Sequence, residues 1–183
     1  MVVLRGFVLG ILVVLFALPA LAEKRLALVI GNAAYRGEIK PLGNPVNDAI
    51  ALRGKLAELG FEVMLELDAG HAALLTRLSA FRARLEKARR ETPGEKITAI
   101  LYFSGHGVEI NGRNLLLPTD LRALDITETD EESVAAIDLE VFTRTAILEG
   151  VRAIILIDAC RDDPLTPMSK VRNVTAALNR RGG

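Results

Sequence analysis

From Lys24 onward, apolar runs alternate with amphipathic ones. Leu26 to Ile30 is a short, unbroken apolar run, the signature of a buried strand. Asn44-Pro45 opens a helix with a capping residue followed by proline at the first helical position, and Gly60 closes it. Phe61 to Leu67 reads as a second strand, and Ala72 to about Arg90 as a second helix, because Leu74, Leu78, Phe81, Leu85 and Ala88 recur at helical spacing. Thr92-Pro93-Gly94 breaks that helix, and Ile97 to Phe103 forms a third strand running into a Ser104-Gly105-His106-Gly107 turn. Val108 to Leu117 holds the hairpin signal Asn111-Gly112. Leu139 to Leu148 is a third helix capped by Asp138 and ended by Gly150, and Val151 to Ile157 is a fourth buried strand. Strands alternating with helices predict an α/β sandwich with a mainly parallel central sheet.

The flanks do not share this pattern. Met1 to Ala22 carries one charge, Arg5, followed by an apolar stretch and an Ala20-Leu21-Ala22 ending, the arrangement of a secretory signal peptide over residues 1–22. An exported protein, periplasmic or secreted, follows, with an uncleaved N-terminal membrane anchor as the alternative. Residues 23–165 then form the domain, and 166–183 a polar C-terminal tail. Asp120 to Val134 is acidic and without period, as a surface loop would be.

Charge excludes one class of partner. The 23 basic and 23 acidic residues balance, which leaves no electrostatic footprint for nucleic acid. Arg82, Arg84, Lys87, Arg89 and Arg90 form the solvated side of the second helix.

The single cysteine, Cys160, permits no internal disulfide, so it is a buried filler, an intermolecular link or a reactive thiol. Its position narrows the choice. In open α/β sheets, sites lie beyond the carboxyl ends of the strands. The third strand leads there to His106 and the fourth to Asp158-Ala159-Cys160-Arg161. An imidazole beside a thiol can take its proton, hold the ion pair and later protonate a leaving amine. The amides of Gly107 and Cys160 could together hold a developing oxyanion. The two side chains lie 54 residues apart, near the spacing at which caspases place histidine before cysteine.

Tyr102-Phe103-Ser104-Gly105-His106-Gly107 and Asp158-Ala159-Cys160-Arg161-Asp162 resemble the histidine and cysteine motifs of caspase-like peptidases, especially the bacterial metacaspase and orthocaspase branch. Leu28-Val29-Ile30-Gly31-Asn32, Asn47-Asp48-Ala49 and Leu59-Gly60-Phe61 resemble the same family's first strand, first helix and second strand. The resemblance implies a caspase-like three-layer sandwich and an endopeptidase acting through a Cys-His dyad and an acyl-enzyme, with protein or peptide substrates. It further implies cleavage after Arg or Lys, with Asp48, Ser104 and Asp158 at the substrate-binding positions. No metal ligand or required cofactor is expected. Many metacaspases need calcium, yet Asp120, Asp162 and Asp163 lack EF-hand spacing.

Family members usually continue beyond the cysteine into a small-subunit region, whereas 23 residues follow Cys160 here. The reading is then of a large-subunit-only form, of a truncated product, or of a sheet whose open edge a homodimer or a small-subunit-like partner chain completes. The rival reading is a caspase-like binding module of the cell envelope that does not turn over substrate.

Overall fold

In a computed structural model, the structure describes residues 23–37, 39–110, 112–121 and 135–160, the last without its side chain. The expected signal peptide, most of the acidic loop and the polar tail lie outside these residues. Among the described residues no helix is long and apolar enough to cross a membrane.

The elements run β1 (Lys24–Gly31), α1 (Pro45–Glu58), β2 (Glu62–Leu67), α2 (His71–Glu91), β3 (Ile97–Ile110), β4 (Arg113–Leu116), β5 (Ile137–Asp138), α3 (Leu139–Arg144) and β6 (Val151–Cys160). The expected three-layer α/β architecture is present. β1 is flanked in parallel by β2 and β3, and β3 pairs in parallel with β6 on its other edge. From β1 the chain steps one way to β2 through α1, then back across β1 to β3 through α2. Right-handed crossovers therefore put the two helices on opposite faces.

On one face Leu74, Leu78, Phe81 and Leu85 of α2, with Phe142 of α3, pack on Leu26, Leu28, Ile30, Leu101 and Phe103. On the other, Ala49 and Leu56 of α1 pack on Ala27, Val29, Ile100 and Tyr102. Alternation along each strand dictates this division, since successive side chains point to opposite faces.

Several sequence expectations are corrected. Ser104 to Gly107 is not a turn: β3 continues through it to Ile110, because β4 takes up pairing where β1 stops. The carbonyl of Ser104 accepts from Asn32 N–H at 2.9 Å and that of His106 accepts from Leu117 N–H at 3.0 Å. Carbonyls two residues apart point to one strand edge, so β4 continues the edge that β1 leaves. β6 likewise runs past Ile157 to Cys160, and it is not buried on both faces: Ile154 and Leu156 are 40% and 42% exposed. They neighbour Ile100 and Tyr102 of β3 in register, where the cover provided by α1 ends.

Asn44 occupies the cap position of α1, but its side chain makes no capping bond, and Pro45 supplies the start. α3 ends at Arg144 rather than Leu148, and Asp138 caps it by accepting from Glu140 N–H at 2.7 Å. Arg82 is not simply solvated: its guanidinium donates to the carbonyls of Arg144 and Ile147 at 2.9 and 3.1 Å, satisfying groups left open where α3 ends.

Candidate active site

The site gathers where β3 and β6 reach their carboxyl ends. Parallel pairing sets Ser104 opposite Asp158 and the Cα of His106 opposite that of Cys160. Both expected reactive residues are thus neighbours across one strand pair, and the alternate β3 positions 102, 104 and 106 share a face. The side chain of Cys160 lies outside the described residues.

His106 is 4% exposed. Its Nε2 lies 2.8 Å from the main-chain oxygen of Lys40, in the segment following β1. A carbonyl can only accept, so Nε2 carries a proton, and in the neutral ring Nδ1 is then the nitrogen with the lone pair. The ring of Tyr35 meets the imidazole edge-on, with centroids 4.6 Å apart and planes at 60°. Its hydroxyl accepts from the His106 main-chain N–H at 2.8 Å.

The segment that delivers Tyr35 and Lys40 is itself tied down. Asn32, fully buried, donates through Nδ2 to the carbonyls of Ala69 and Leu117 and accepts from Ala69 N–H at Oδ1. Asp68, at the end of β2, adopts the left-handed conformation with φ of 51°, a region that Asp tolerates better than most residues. From there its Oδ1 accepts from the N–H groups of both Ala33 and Ala34, at 2.7 and 2.8 Å. The ends of β1, β2 and β4 are thereby stitched together around the histidine.

Beside the His106–Cys160 register pair lies a polar patch. The Ser104 hydroxyl, buried, donates to Asp158 Oδ2 at 3.3 Å, while Asp158 itself is exposed. Tyr102 stands two residues before Ser104. Burial pushes its phenol above the usual value, a hydrogen bond with Ser104 opposes this, and the Asp158 and Asp48 carboxylates raise it further. Asp48 sits exposed in the first turn of α1. The three expected substrate-binding residues therefore border one region, with Tyr102 as a member that the sequence reading did not single out.

Gly107 stays in the ladder, opposite Leu116 of β4 and next to the His106–Cys160 register pair. Of the two amides expected to serve an oxyanion, that of Cys160 thus belongs to the last position of the β3–β6 pairing, and that of Gly107 to the β3 position just beyond it. Among the described residues, no group of three or more His, Cys, Asp or Glu side chains could hold a metal ion.

Tyr35 and the Lys40 carbonyl were missed by sequence reasoning. A main-chain oxygen carries no residue signature, and Tyr35 was legible only as one aromatic in a loop whose glycine spacing fits no nucleotide motif.

Comparison with known proteins agrees with this fold. A family described as the caspase domain matches residues 24–180. Mucosa-associated lymphoid tissue lymphoma translocation protein 1 from Homo sapiens is 32% identical over 100 residues, 55% of this chain and 11% of that protein. Its Mus musculus homolog is 31% identical over 100 residues, with the same shares. The chain thus matches about a tenth of the length of these relatives.

Proposed function

The chain belongs to the caspase-domain peptidase family, and we propose that it is a cysteine endopeptidase cleaving after Arg or Lys, with Cys160 as nucleophile and His106 as general acid and base. The observation that carries this reading is the register of His106 with Cys160 at the ends of adjacent parallel strands, with Nε2 of the imidazole occupied by Lys40.

The chemistry follows from that placement. Nδ1 of His106 takes the thiol proton, and the thiolate attacks the scissile carbonyl carbon. The tetrahedral oxyanion is held by the amides of Gly107 and Cys160. As the C–N bond breaks, the imidazolium returns its proton to the leaving amine, and water activated by the same imidazole then releases the acyl group. Asp48 and Asp158, with the Ser104 hydroxyl that bonds Asp158, form an acidic recess complementary to a guanidinium or ammonium. No cofactor takes part in these steps.

The leader-like sequence of residues 1–22 supports export. Among the described residues, β6 pairs only with β3. Its other edge and the exposed Ile154 and Leu156 favour completion of the sheet by a second copy or a small-subunit-like chain.

The test is hydrolysis of matched fluorogenic peptides ending in Arg, Lys or Asp by residues 23–183, with and without calcium, beside Cys160→Ala. Cleavage after Arg or Lys that vanishes in Cys160→Ala is the expected result. Absence of any Cys160-dependent cleavage returns the chain to a binding module, and preference for Asp removes the acidic recess.

A further inference from the structure

In an antiparallel ladder, a hydrogen-bonded pair exchanges two main-chain bonds. His106 and Leu117 continue the register set by Gly107 opposite Leu116, yet they share only one such bond, from Leu117 N–H to His106 O at 3.0 Å. The other half of the rung is opened by a side chain. His106 N–H donates to the Tyr35 hydroxyl at 2.8 Å, and that hydroxyl donates to the Leu117 carbonyl at 3.1 Å.

We propose that Tyr35 is the positioning residue of His106: its hydroxyl, inserted in the last rung between β3 and β4, sets the main chain of the histidine while its ring fixes the plane of the imidazole. This rests on the peptidase reading for its purpose, though not for its measurement.

Four observations carry it. Tyr35 is 4% exposed, so its hydroxyl needs protein partners, and it has one for each role. The phenol ring packs edge-on against the imidazole. Room for the hydroxyl depends on Gly105, where a Cβ would stand 2.6 Å from it. Finally, the same loop supplies the Lys40 carbonyl to Nε2, so one segment grips the histidine at its main chain and at its ring.

Removing the hydroxyl leaves two outcomes for the rung. It closes directly, drawing His106 toward β4 and away from Lys40, or water fills the gap and the ring loses its fixed support. In both, the proton on Nε2 is less firmly placed, and with it the basicity of Nδ1 toward the thiol. A residue that merely fills space would change stability and leave that basicity alone.

Because Cys160 is the only cysteine, alkylation by iodoacetamide reports its thiolate without any substrate. The experiment follows alkylation rate against pH, and kcat and KM on an Arg peptide, for the wild-type chain and Tyr35→Phe. The expected result is a wild-type midpoint below that of a free thiol, about 8.5, which moves upward in Tyr35→Phe. The rate near neutral pH and kcat both fall about tenfold, while KM changes less than about twofold.

An alkylation midpoint that is the same in both proteins overturns the proposal, whatever cleavage shows. A shifted midpoint in a chain that cleaves no peptide keeps the positioning role and removes the peptidase reading. Should Tyr35→Phe not fold, 3-fluorotyrosine incorporated into a Tyr102→Phe background makes the remaining phenol more acidic with little added bulk. An unmoved midpoint there overturns the proposal equally.

Discussion

The imidazole of His106 is held at Nε2 by the main-chain oxygen of Lys40, 66 residues earlier in the chain. The contact uses no side-chain atom of Lys40, so Lys40→Ala is expected to keep kcat/KM within about twofold. Pro41 matters more. A proline confines the residue before it to extended conformations and so limits where the Lys40 carbonyl can point. Pro41→Ala is expected to lower kcat by roughly three- to tenfold with the thermal midpoint nearly unchanged. Steady-state kinetics beside a melting curve checks both.

Under the proposed function, Asp158 and Ser104 are expected to divide the recognition of a basic side chain unequally. A hydrogen bond to a charged group contributes about 1.5–3 kcal/mol and one between neutral groups about 0.5–1.5 kcal/mol. Asp158→Asn is therefore expected to lower kcat/KM for Arg peptides by about 10- to 100-fold, and Ser104→Ala by a few-fold. Measuring both on Arg and on neutral peptides separates the loss of charge from a general loss of activity.

Gly105 has no room for a side chain. A Cβ would lie 2.6 Å from the Tyr35 hydroxyl and 2.9 Å from Cζ of Phe103, which is 1% exposed. Neither ring can yield without disturbing either the opened rung or the core. Gly105→Ala is expected to cost about 1–3 kcal/mol, as overpacking does, and denaturant unfolding checks this. A variant as stable as the wild type would show that the phenol has space to retreat.

Tyr102 links the recess to pH. Burial and the Asp158 and Asp48 carboxylates raise its phenol above the ordinary 10.0, so the folded chain holds this proton more tightly than the unfolded one. The resulting stability is fully present below pH about 10 and is lost as the pH rises through the raised folded value. Unfolding midpoints measured across the alkaline range should fall less steeply in Tyr102→Phe than in the wild type. An identical slope would refute the assignment.

Local pattern made much of the architecture legible. The period of Leu74, Leu78, Phe81 and Leu85 identified both α2 and its buried face. The ends of strands were harder to read. Ser104-Gly105-His106-Gly107 has the composition of a turn, yet β4 and β6 supply partners on both edges and extend β3 through it. Such pairing is tertiary and leaves no local mark. The same limit applied at β6, whose apolar run VRAIILI reads alike whether one face is covered or both. At the site, the motifs brought out His106, Cys160, Ser104 and Asp158, because side-chain chemistry is written in residue type. The Lys40 oxygen is common to all residues, and Tyr35 gains its role only from where the loop folds back.

The hydroxyl in the opened rung joins residues 71 and 82 positions apart in the chain. Alignment of the histidine is therefore among the most non-local events of folding, completed after β1, β3 and β4 have all met. A chain that keeps its sheet but loosens the segment after β1 would remain compact and helical while its histidine drifts. Thiol reactivity would then fade at lower denaturant than circular dichroism, which makes the site a sensor of its own domain's integrity.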